Sequence, residues 1–171
     1  MPDPRAAALE AVQFLPLLSF AAPFVVAGEV DLSAAGGGFA IGAALAVAVS
    51  GALAAKKVAQ NPILLGVNAW LLVGAAAFAA VEPLAAWIAS VQAASLFVGV
   101  LAVGAAAAAL APGGFVGDPR APRWASWALV ALAGACLGWS LAFPDIRVGG
   151  ALPFIALNVV RRVMLRRLVP S

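Results

Sequence analysis

Three amide side chains are candidate functional residues because each lies inside an otherwise apolar stretch: Asn68, Gln92 and Asn158. A buried amide either bonds a neighbouring helix or lines the path of a polar solute. An interhelical hydrogen bond in a membrane protein contributes about 0.6 kcal/mol. A polar cavity at mid-depth would favour the solute path, and bonds to neighbouring helices in a dry interior would favour the structural role.

Arg161 is a second candidate because only the uncharged segment Val148–Val160 precedes it. As a helix these residues reach about 20 Å, short of a bilayer core of roughly 30 Å. Arg161 must therefore sit within the membrane, extend its guanidinium to the interface or find a partner. We predict an ion pair with Glu10, which would join the first helix to the last.

The alternative for this end of the chain is a simple cluster of arginines at the membrane surface. Anionic lipid headgroups attract basic residues there by about 1 kcal/mol per charge. The predicted lipid-contacting residues are Arg161, Arg162, Arg166 and Arg167.

Residue types argue against catalysis. The 171 residues include no His and one Cys, Cys136, and there is no Ser-His-Asp set and no Gly-rich phosphate loop followed by Lys. We expect no enzymatic activity, no cofactor and no metal site. Pigment or quinone held by apolar contacts alone stays open.

The amino-acid composition indicates that the helices carrying these residues lie in a membrane. The chain is 65% hydrophobic and 10% charged, whereas soluble domains carry about 25% charged residues. The segment 84–111 has no charge at all and is longer than the roughly 20 residues that span a bilayer as a helix. We predict an all-α integral membrane fold, a single transmembrane domain over 1–171.

Six transmembrane helices are predicted, separated by charged or Pro- and Gly-rich turns. A retained first helix is favoured over a cleaved signal peptide, because the N-terminus is weakly basic and similar segments follow. The spans are 11–28, 39–55, 63–81, 84–111, 124–143 and 149–165.

Basic residues set the orientation. With a cytoplasmic N-terminus, six spans place nine of the ten Lys and Arg residues on the cytoplasmic side, and only Arg147 outside. The positive-inside rule therefore favours N-in and C-in. The isoelectric point is near 10.0. Because the positive-inside rule accounts for these basic residues, no nucleic-acid partner is expected. Glycines such as Gly42, Gly74, Gly134 and Gly138 mark candidate helix–helix contact faces.

Two segments carry a family resemblance. The opening Val12-Gln13-Phe14-Leu15-Pro16-Leu17-Leu18-Ser19-Phe20 and the closing Gly149-Gly150-Ala151-Leu152-Pro153-Phe154-Ile155 resemble the bacterial intracellular septation protein A family. That resemblance implies a small multi-pass inner-membrane protein associated with cell division and envelope upkeep, without an assigned reaction.

Three functions are compatible with the sequence. The first is a non-enzymatic inner-membrane protein that acts through helix–helix contacts, as a septation or envelope factor or a small subunit of a larger complex. Its partners would be membrane lipids, other membrane subunits or further copies of itself. The second is a transporter or channel for a small neutral solute, built from two halves of three spans. The third is an enzyme that acts on a lipid.

Overall fold

The computed structural model describes residues 11–27 and 32–169, with side chains described for 11–22 and 35–169. Every regular element in this part of the chain is helical, which confirms the predicted all-α class. The α-helices are α1 (Leu15–Ala27), α2 (Leu32–Ala55), α3 (Pro62–Ala80), α4 (Glu82–Val91), α5 (Ala94–Leu110), α6 (Arg123–Ala142) and α7 (Leu152–Leu168), with a π-helical turn over Ile146–Ala151 before α7.

Four helical segments of the described chain are long and apolar enough to cross a membrane, which confirms the membrane class. A fifth is added if α4 and α5 together count as one span. Helix α1 has 13 residues, and the predicted first span reaches Gly28, outside the described residues. The four segments are Ala35–Ala55, Pro62–Ala80, Arg123–Ala142 and Ile146–Leu168.

The prediction of one continuous helix over 84–111 is wrong. Helices α4 and α5 meet at a bend of 105°. Gln92 causes the break, because its φ of 46° lies in the left-handed region that interrupts a right-handed helix. Ser95, in the first turn of α5, donates to the Gln92 carbonyl from its amide at 3.1 Å and from its hydroxyl at 2.7 Å. Hydropathy does not detect this bend, since the segment 84–111 is uncharged and apolar on both sides of it.

The chain divides into two compact units, one up to Ala89 and one from Ser90. In the first unit α2 packs against both α1 and α3. Its core is an aromatic cluster in which Phe39 contacts Phe20 and Trp70 at centroid distances of 4.7 Å and stacks on Phe78 at 5.3 Å. Edge-on and offset ring pairs of this kind add about 0.5–1.5 kcal/mol to the burial of their area.

In the second unit α6 is the central helix and packs against α5 and α7. Phe97, Val100, Leu129 and Leu157 are fully buried in its core. The last segment begins at Ile146, three residues before the predicted start. Asp145 caps it by accepting hydrogen bonds from the amides of Arg147 and Val148 at 2.8 Å.

The predicted small-residue faces fall into two groups. A Cβ atom at Gly42 would meet Leu71, and one at Gly74 would meet the ring of Phe39, so both glycines let elements of the first unit approach closely. Gly134 and Gly138 on α6 have nothing within 4 Å of the same position. Close packing therefore explains the first pair, and the second pair lies on an open face.

Gly74→Ala should destabilise the protein by about 1–3 kcal/mol, because the added methyl group has no room beside Phe39. Gly51→Ala is the matched control, since Gly51 is also helical but faces open space. It should be neutral or stabilising by up to about 1 kcal/mol through helix propensity. Unfolding in detergent micelles measures both changes, and equal stability of the two variants would contradict this packing.

Candidate functional site

The connection between α5 and α6, residues 112–122, folds inward rather than lying on the surface. Phe115 and Val116, in its middle, are fully buried. The ring of Phe115 fits against Gly104 of α5, where a Cβ atom would come within 2.7 Å of it. A buried loop must find partners for its backbone amides and carbonyls, and the surrounding side chains supply them.

Ser126, in the first turns of α6, binds this loop through its hydroxyl oxygen. Ser126 Oγ accepts hydrogen bonds from the amide of Phe115 at 2.9 Å and from that of Val116 at 3.3 Å. The approach requires glycine at position 114, because a Cβ atom there would collide with Ser126 Oγ and the residue has a φ of 57°. Ser126 is itself buried.

Arg161 of α7 binds the same loop from the other side. Its Nε donates to the carbonyl oxygen of Val116 at 2.9 Å, and the side chain is buried. The backbone of Val116 is therefore held at both its amide and its carbonyl. Glu10 lies outside the described residues, so the Arg161–Glu10 ion pair stays a prediction.

Arg123 opens α6 and reaches back to the end of α5. Its Nη2 donates to the carbonyls of Ala108 at 3.3 Å and Ala109 at 3.0 Å. The last carbonyls of a helix have no intrahelical partner and carry partial negative charge, so a guanidinium there is favourable. Arg123 thereby links the ends of two helices across the loop.

A cavity of about 150 Å³ lies between the end of α5, the loop and the start of α6. Its walls combine the apolar surface of alanines with polar groups of the backbone, the guanidinium of Arg123 and Ser126. The lining residues are 108–114, Ala121, Arg123 and Ser126.

The outer part of the loop carries an exposed ion pair. Arg120 donates to Asp118 from Nε at 3.2 Å and from Nη2 at 3.0 Å, and the Arg120 amide also donates to it at 2.8 Å. These bonds lower the pKa of the Asp118 carboxyl, chiefly through the side chain of Arg120. Exposed pairs stabilise little, so the pair shapes the loop rather than holding the fold.

The three predicted amides have different environments. Asn68 is buried and its Nδ2 donates to Ser50 Oγ of α2 at 3.1 Å, within the first unit. Asn158 donates to the Phe154 carbonyl of its own helix at 3.0 Å. Gln92 is exposed at the α4–α5 break. None of the three lines the cavity described above.

The four arginines of the predicted cluster also have different environments. Arg162, Arg166 and Arg167 are exposed in the last turns of α7, whereas Arg161 is buried against the loop. Basic residues in the last turn also favour a helix C-terminus electrostatically. Lipid contact by the four residues stays a prediction.

Two polar residues that were not predicted as site residues bind other parts of the chain in the structure. Ser126 is one of several serines in apolar stretches, and no spacing relates it to the loop it binds. Gln13 Oε1 accepts from the amide of Asn61 at 2.8 Å, which ties the start of the chain to the cap of α3. Both contacts depend on tertiary packing, which leaves no local sequence signal.

Among the described residues, no group of three His, Cys, Asp or Glu side chains is placed to hold a metal ion. Arg123 and the backbone of the loop instead line a small cavity that contains polar groups.

Ser126→Ala should destabilise the protein by about 1–3 kcal/mol, because two buried amides lose their acceptor. Ser140→Ala on the same helix is the control: its hydroxyl is fully buried and makes no hydrogen bond among the described residues. That change should be neutral or stabilising. Unfolding in detergent distinguishes them, and an equal effect of both would argue against the role of Ser126.

Comparison with known proteins finds no relative of this chain. No protein-family model, curated protein or solved structure matches the chain. The resemblance to the septation protein A family therefore rests on the two terminal segments of the sequence alone.

Proposed function

We propose that this protein is a non-enzymatic, multi-pass protein of the bacterial inner membrane that acts through helix–helix contacts. It would serve as a septation or envelope factor, or as a small subunit of a larger membrane complex. Six spans with N-terminus and C-terminus in the cytoplasm complete the proposal.

Two features support six spans. The first unit contains α1 to α3 and most of α4, and the second contains α5 to α7. If α1 to α3 and α5 to α7 each account for one span, the count is six. The short helix α4 then belongs to the same crossing as α5. The distribution of Lys and Arg supports the orientation, since alternation of six spans gathers nine of ten basic residues on one side.

The observation that carries the contact role is the bond between Asn68 and Ser50. A transporter needs polar side chains that face its substrate, but the buried amide of Asn68 is bonded to the hydroxyl of the adjacent helix. The nearby Gln60 Nε2 donates to the Ser50 carbonyl at 3.1 Å. These polar groups join α2 to α3 and its preceding turn. The open face at Gly134 and Gly138 leaves room for another helix to approach.

Purification in mild detergent tests the contact role. We expect either a homo-oligomer or a companion membrane protein in fixed stoichiometry. Native mass spectrometry and light scattering both measure the mass of the purified species. An unrelated multi-pass protein of similar size, purified in parallel, controls for nonspecific companions. A monodisperse monomer without a stoichiometric companion would contradict the proposal.

Orientation is tested by cysteine labelling with a membrane-impermeant reagent in a Cys136→Ser background. Lys57→Cys and Arg166→Cys should be labelled only after the membrane is opened, because both positions are proposed to face the cytoplasm. Arg147→Cys should be labelled in intact cells. Labelling of Lys57→Cys and Arg166→Cys from opposite sides would disprove the six-span topology.

A transporter or channel for a small neutral solute is the second candidate. The division into two units, each containing three of the six proposed spans, favours it, since many transporters consist of two such halves. Solute efflux from proteoliposomes would support it if Asn68→Leu abolished the flux while Gly51→Leu, at an open position, preserved it.

A further inference from the structure

The cavity beside Arg123 has a chemistry that neither membrane insertion nor helix contact requires. It lies within the second unit, between the last turn of α5 and the first of α6. A volume of about 10–15 Å³ is enough to hold a water molecule, so 150 Å³ leaves room for a tetrahedral oxyanion.

Arg123 has hydrogen-bond donors to spare. Its Nη2 is engaged with the carbonyls of Ala108 and Ala109, which fixes the plane of the guanidinium. Its Nε and Nη1 make no hydrogen bond among the described residues. Three N–H donors on a fixed plane are suited to bidentate binding of an oxyanion such as phosphate.

Gly113 adds a backbone donor to the same cavity. Its amide, just after Pro112, makes no hydrogen bond among the described residues, although its carbonyl accepts from Gly117 and Asp118. The carbonyls at the end of α5 would repel an anion, but those of Ala108 and Ala109 already accept from Arg123. Arg123 and Gly113 therefore both carry unengaged N–H donors among the residues that line this cavity.

Charge and position around the loop indicate which oxyanion it is. Asp118, the acidic residue of the loop, is paired with Arg120, and Arg161 approaches the loop from α7, so the surroundings are net positive. Trp124, next to Arg123, is 58% exposed, and exposed tryptophans at the ends of spans sit at the level of lipid headgroups. A phosphate group at this depth belongs most simply to a lipid.

We propose that the cavity formed by Arg123 and Gly113 binds the phosphate group of an anionic phospholipid. The site requires only that the chain is in a membrane and does not depend on the contact role proposed above. It is distinct from the predicted surface cluster at the end of α7, because it is a cavity with fixed donors rather than a group of exposed charges.

The test measures lipids retained by the purified protein after extraction from vesicles of phosphatidylglycerol and phosphatidylcholine in equal parts, by native mass spectrometry. The wild-type protein should retain phosphatidylglycerol preferentially. Arg123→Gln should weaken that retention about fivefold, the effect of one charge near the membrane surface. Arg147→Gln, which removes an exposed arginine in the π-helical turn before α7, should leave it unchanged.

A second variant and a competition arm keep the result interpretable. Ala109→Leu fills the cavity from an exposed position while Arg123 stays in place, and should reduce retention like Arg123→Gln even if the latter folds poorly. Inorganic phosphate, compared with chloride at equal ionic strength, should not displace the lipid. If phosphate does displace it, the site takes free phosphate and the lipid assignment is wrong. Equal retention by the wild type and both variants would overturn the site altogether.

Discussion

A hydrogen bond between Arg161 and the carbonyl of Val116 connects the last helix to the one inward-folded loop described in the second unit. Backbone groups away from water must be bonded within the protein, and so must a buried guanidinium. This bond meets both requirements with one contact. Ser126 completes the arrangement by accepting from the amides of Phe115 and Val116. The packing of the loop against α5, and with it the cavity beside Arg123, depends on these contacts.

The first unit is held by a different balance of forces. Its interior is an aromatic cluster around Phe39, made possible by the absence of a side chain at Gly74. Its few buried polar groups are concentrated near the α2–α3 turn, where Asn68, Ser50, Gln13 and Asn61 bond one another or the adjacent backbone. Dispersion and close packing drive helix association in a lipid environment, and these polar bonds add specificity to it.

The sequence predicted the class of fold and most helix positions because both follow from local hydropathy. It did not predict the break at Gln92, since a left-handed residue between two apolar helices leaves the composition unchanged. For Arg161 the sequence predicted either an ion pair with Glu10 or a place in a surface cluster of arginines. It could not find the Val116 carbonyl, 45 residues away, because a backbone oxygen has no signature in the residue type. Ser126 and Arg123 were missed as site residues for the same reason.

By itself, the sequence determined that the chain is helical and belongs in a membrane. The free energy of transferring apolar side chains out of water is a sum over residues, and it does not depend on which residues become neighbours in the fold. The alternation of basic residues further predicts an orientation for six spans, and that orientation stays a prediction. Tertiary structure alone decided which carbonyls the arginines bind and where a polar cavity forms. It also decided which glycines lie against a neighbouring side chain and which face open space. Those outcomes depend on distances of a few ångströms between residues far apart in the chain, and such distances exist only once the helices have packed.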